Sequence, residues 1–131
     1  MRVVLLVLTL LALSSSARAQ PPDWGTAPDV EVRLSSFSFT PQRIELTSGT
    51  AYRLHLVNTA DGGHNFDASA FFAAAQIHPS DRTQVRKGAV ELKAGETRDI
   101  RFIAPAPGSY KLHCSHFLHS SFGMTGVIIV R

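Results

Sequence analysis

From Val30 onward, apolar and polar residues alternate in short runs bounded by turn-forming residues. Val30, Val32 and Leu34, then Phe37 and Phe39, mark a strand with a break near Ser35-Ser36, and Pro41 interrupts it. Residues 43–46 alternate again, Ser48-Gly49 turns the chain, and Tyr52, Leu54 and Leu56 follow with period two as far as Asn58. Asp61-Gly62-Gly63 reads as a loop. Residues 90–92, 98–103, 110–114 and 126–130 supply four more strands, with turns at Ala94-Gly95 and over 105–108. Residues 67–77 break the pattern. Their alanines and phenylalanines favour helix, Asp67 is placed to cap the start, and Pro79 stops it. About seven short strands and one short helical insert predict an all-β fold, a Greek-key antiparallel β-sandwich.

The beginning of the chain follows a different pattern. Arg2 precedes an apolar run over residues 3–13 broken only by Thr9, then three serines and the small-x-small triplet Ala17-Arg18-Ala19. This is the layout of a secretory signal peptide over residues 1–19, cleaved after Ala19, and the run is short for a bilayer span. Residues 20–28, rich in proline, read as a flexible arm, and residues 29–131 as one domain. Losing Arg2 and Arg18 with the signal lowers the formal charge from +3 to +1, and no run of basic residues remains to point to nucleic acid. The expectation is a periplasmic or secreted monomer without a membrane anchor in its mature form.

Export makes Cys114 conspicuous. It is the sole cysteine, so it has no intramolecular disulfide partner in an oxidising compartment. An inert buried thiol is one reading; its neighbours supply another. Four residues separate Cys114 from His119 and four separate His119 from Met124, at the end of one strand and in the loop that follows. A loop of that length can fold back so that thiol, imidazole and thioether point at one spot. His64, in Gly62-Gly63-His64-Asn65-Phe66, is the best source of a second imidazole. Soft sulfur donors with two imidazoles favour copper, and two His and a Cys with a weak axial Met is the blue-copper arrangement. Zinc prefers a tetrahedron without the thioether. Met124 as a core filler is the alternative.

The segment resembles the copper loop of the cupredoxins, the family of plastocyanin, azurin and pseudoazurin. The resemblance rests on Gly108, Tyr110, Cys114, His119, Gly123-Met124 and the strand over 126–130. Gly63-His64-Asn65-Phe66 is similar to azurin's first-ligand stretch, and Phe37 to Ile44 to an early run of many single-domain members. It implies one type 1 copper held by His64, Cys114, His119 and Met124. It further implies that Asn65 bonds across to the Cys114 loop and turns its N–H toward the sulfur, and that the Gly63 carbonyl is a distant fifth ligand. The Cys-to-His gap is longer than plastocyanin's, the His-to-Met gap is longer than azurin's, and azurin's disulfide is missing. Choosing His116 in place of His119 would leave only Ser115 between it and the thiol and strand Met124. His113 should face away from the metal, since strand neighbours alternate. His55 belongs on an outer strand face, and His78 in a solvated loop.

The function implied is one-electron transport by copper cycling between Cu(I) and Cu(II), with no enzymatic activity. The expected partner is a redox protein such as a c-type cytochrome, an oxidase or a reductase. A periplasmic copper carrier or store, using His113 and His116 to acquire metal, is the alternative. Phe117, Leu118 and Phe122 near His119 either form an apolar docking patch or pack into the end of the sandwich.

Overall fold

The computed structural model describes residues 20–131; the expected signal peptide lies outside them. Its elements run β1 (Asp29–Ser35), β2 (Ser38–Thr40), β3 (Arg43–Leu46), β4 (Ala51–Asn58), β5 (His64–Asp67), α1 (Ser69–Ala74), β6 (Gln76–Ile77), a 3-10 helix (Pro79–Gln84), β7 (Ala89–Leu92), β8 (Thr97–Ile103), β9 (Gly108–His113) and β10 (Thr125–Val130). Period-two burial builds two layers from them. Val32 and Leu34 of β1, Leu54 and Leu56 of β4, and Ile100 and Phe102 of β8 face inward, while Glu31, Arg53 and Asp99 between them face out. These strands form one sheet in the order β2-β1-β4-β8-β6, and the other sheet runs β3-β10-β9-β5-β7. The sandwich is as expected, and most neighbouring strands are antiparallel. Two pairs are parallel, β1 with β4 and β3 with β10, so the sheets are mixed. Alternation fixes which face of a strand is buried and is silent on a neighbour's direction. After the β1–β2 hairpin the chain crosses to the second sheet for β3 and returns beside β1 in β1's own sense.

Gly126 sits where β10 runs close to the residue that precedes β3. A Cβ there would lie 2.6 Å from the Gln42 carbonyl oxygen, so only glycine allows that approach. The helix is shorter than residues 67–77. Asp67 ends β5, the N-cap position is Ala68, and no side chain caps it. Ala75 is extended, and Gln76 and Ile77 pair with Ile103 and Phe102 on β8. Edge pairing therefore overrides the helix propensity of the alanines. The six residues of α1 serve as a plug: Phe71 meets Phe102 and Tyr110 edge-on, and Phe72 meets Phe66. No helix among the described residues is long and apolar enough to cross a membrane.

The 3-10 helix is fastened by one buried acid. Asp81 accepts from the Arg101 backbone N–H (2.9 Å), Nε (2.8 Å) and Nη2 (3.0 Å). Burial alone would raise this carboxyl, but the Arg101 guanidinium and N–H outweigh it and hold it below its ordinary value. A depressed folded-state value means stability that is fully present at neutral pH and fades as pH falls from about 4 through the lower folded value. Asp81→Ala is expected to cost about 2 kcal/mol near neutrality, because it strands three donors, two of them on a part-exposed guanidinium. Denaturant melts at neutral pH and at pH near 3 check this: the difference between variant and wild type should shrink in acid.

Candidate metal centre

Asn58 shapes the corner that delivers His64. Its buried side-chain amide donates to the carbonyls of Gly62 (2.9 Å) and Lys93 (3.0 Å), and its Oδ1 accepts from the Ala60 N–H (3.0 Å). The β4–β5 loop is thereby tied to the end of β7, and β5 begins at His64, paired with Leu92. β5 did not show as a strand in the sequence, because His64, Asn65 and Phe66 are all buried and do not alternate. The first and third join the core side of the sheet, and Asn65 is covered by the loop after β9.

That loop is a chain of tight turns. His119 N–H donates to the His116 carbonyl (3.1 Å), Phe122 N–H to Leu118 (3.1 Å) and Gly123 N–H to Ser120 (3.0 Å). Gly123, at a φ of 97°, turns the chain back. Met124 then closes it twice: its N–H donates to the His119 carbonyl and its own carbonyl accepts from Cys114 N–H, both at 3.0 Å. The three sequence positions of the Cys-His-Met pattern are thus joined by backbone bonds, and Met124 is fully buried.

Three donor atoms converge. Cys114 Sγ lies 3.3 Å from His119 Nδ1 and 3.9 Å from His64 Nδ1, and the two nitrogens are 3.0 Å apart. Among the described residues these three side chains are the group whose ligand atoms lie close enough together to share one ion. Asn65 closes the other side. Its backbone N–H donates to Cys114 Sγ (3.5 Å), its amide donates to Ser115 Oγ (2.7 Å), and its Oδ1 accepts from Ser115 N–H (2.9 Å). Gly63 immediately precedes β5, with the His116 ring over it.

Burial pushes the Cys114 thiol up, against the pull of the Asn65 and His116 N–H groups. Desolvation, then the neighbouring His119 and His116, pushes His64 down. The imidazole is therefore kept neutral, as a metal ligand must be. A buried thiol with two imidazole nitrogens is a donor set that copper fits: soft sulfur, borderline nitrogen, and a buried thioether tied by its backbone to two of the three.

The other histidines stand outside this donor group. His113 is half-exposed, with Nε2 3.7 Å from Asp67. His116 Nε2 donates to Glu91 at 2.6 Å. His55 meets Asp99 on the outer sheet face, and His78 accepts from Ser80 N–H at the start of the 3-10 helix with Trp24 against its ring. One neighbour escaped the sequence reading. Phe37 fills a period-two slot there, yet it occupies the turn between β1 and β2 at a φ of 59° and sets its ring edge-on to His119 at 5.2 Å. A positive φ is uncommon for a bulky residue; the Ser35-Ser36 break was the available signal. Phe37 also meets Phe122. With Phe117, Leu118 and Phe122 it makes up the exposed large apolar residues among those described. The three loop residues thus stay outside the sandwich.

The comparisons with known proteins agree with this geometry. Residues 2–130 match the family model of the cupredoxin-like domain. The chain belongs to the cupredoxin family. This cupredoxin is 31% identical over 123 residues to auracyanin-B of Chloroflexus aurantiacus, an alignment covering 79% of the chain. It spans about half, 52%, of that relative's length. Its fold is similar to a dithionite-reduced auracyanin from the photosynthetic bacterium Roseiflexus castenholzii, with a TM-score of 0.60 at 20% identity, covering 81% of this chain and 98% of the other. A structure of auracyanin B gives 0.60 at 23% identity, covering 89% and 95%. Copper is the cofactor that this cupredoxin's His64, Cys114 and His119, with Met124 nearby, are suited to hold.

Proposed function

We propose that the chain is an exported single-electron carrier that is not itself an enzyme. His64, Cys114 and His119 would hold its copper, with the Met124 thioether and the Gly63 carbonyl as weaker donors beside them. When bound, copper supplies one electron that is taken up and given back between Cu(I) and Cu(II). The observation that carries the reading is the convergence of the Cys114 thiol with two imidazole nitrogens within a few ångströms. The residues around it favour rapid exchange. The Asn65 bonds and the Met124 backbone closure hold the donors in place before metal arrives, so little rearrangement accompanies a change of charge.

His119 is the half-buried member of the set, and Phe37, Phe117, Leu118 and Phe122 expose apolar surface on and beside its loop. We take this as the docking face for a redox protein such as a c-type cytochrome, with electrons passing through the His119 edge. Export follows from the signal-like residues 1–19, and the mature chain is read as a monomer.

Two measurements on one sample test the carrier function. Reduced, copper-loaded protein should keep its metal against a moderate Cu(I) chelator, and stopped-flow mixing with a c-type cytochrome should show rapid exchange. Rapid loss of Cu(I) with sluggish exchange would mark a copper carrier instead.

A further inference from the structure

Cross-strand neighbours on β5 and β7 hold consecutive residues of the ligand loop. Asn65 pairs with Glu91 in the sheet register. Asn65 binds Ser115, the residue after Cys114, through two hydrogen bonds. Glu91 accepts from Nε2 of His116, the next residue, at 2.6 Å. The His116 ring lies over Gly63, with Cε1 3.5 Å from where a Cβ would stand. It is stacked on His64 at 6.4 Å and 22°, and tilted against His119 at 5.3 Å. Three imidazoles are therefore gathered at one end of the sandwich, and only two share a site with the thiol. The third has its Nε2 occupied by a carboxylate.

We propose that Glu91 is a positioning residue: acting through His116, it is a second tether of the ligand loop beside the Asn65–Ser115 one, and it holds the His116 imidazole out of the donor set. His116 is the rival of His119 in the sequence; its ring lies outside the group of converging donors, on the side where Glu91 holds its Nε2. The Glu91 side chain is 59% exposed and that of His116 31%, so removing either leaves the core intact and the variants fold. An exposed pair is weak, and its loss should loosen the loop by about threefold without melting the domain.

The test has a metal-free arm and a copper-loaded arm; only the second rests on the copper reading. In metal-free protein, amide hydrogen exchange over residues 116–123 should quicken about threefold in Glu91→Ala and equally in His116→Ala. The double variant should add nothing further. Wild-type exchange rates in Glu91→Ala, or additive effects in the double variant, would overturn the proposal. In copper-loaded Glu91→Ala, electron paramagnetic resonance should show a second Cu(II) species that disappears when His116→Ala is added. One species identical to wild type would overturn the role of Glu91 in excluding His116. If wild-type protein binds no copper, the second arm fails for that reason, and the exchange arm still decides the tether.

Discussion

Cys114→Ser is expected to erase the intense visible absorption of the copper-loaded protein. That colour would arise from charge transfer out of a thiolate sulfur, and only one sulfur of this kind exists in the chain. Serine offers a hard oxygen that stays protonated where a metal-bound thiol would not. The fold should survive the change. The Asn65 N–H that now faces Cys114 Sγ at 3.5 Å can donate to a hydroxyl, so the buried oxygen is not left without a partner. Circular dichroism of the metal-free variant separates loss of the site from loss of the domain. A coloured Cys114→Ser protein would mean that the sulfur is not a ligand.

The imidazoles should divide as sharply. His64→Ala and His119→Ala each remove one corner of the donor triangle. Each should lower copper affinity by more than the roughly 10–100-fold that loss of an outer hydrogen-bonding partner costs. Each should also bleach or grossly alter the visible band. His113→Ala and His116→Ala should leave that band in place, since neither imidazole belongs to the converging donor group: His116 is bonded to Glu91 and His113 lies near Asp67. Met124→Leu should likewise keep copper and colour, because an axial thioether binds weakly. Titration of each variant with copper, followed by absorption, checks the series. A His116→Ala protein that bleaches beside a coloured His119→Ala protein would reverse the assignment.

The parts of the fold that were legible in the sequence are those in which one face of a strand is buried. β1, β4 and β8 alternate cleanly because their outer faces meet solvent. β5 does not, since it is covered on both sides, and its residues read as a corner. β6 was hidden inside a run of helix formers, because its pairing with β8 is tertiary. The parallel pairs depend on crossings between sheets that no local pattern encodes. The site divides in the same way. Cys114, His119 and Met124 lie within eleven consecutive residues and are joined by backbone hydrogen bonds, so their spacing carries the signal. Phe37, from the β1–β2 turn, and Glu91, from β7, reach the same place from distant parts of the chain. One looked like a regular apolar position and the other like an ordinary exposed acid.

The central claim is that Cys114, His64 and His119 jointly hold one copper through a thiolate. Absorption and paramagnetic resonance spectra of wild-type protein loaded with one equivalent of Cu(II) test it most directly. The account predicts an intense blue or green band and a paramagnetic signal with the narrow copper splitting of a covalent thiolate site. A colourless Cu(II) protein, with the wide splitting of ordinary nitrogen and oxygen ligation, would contradict it.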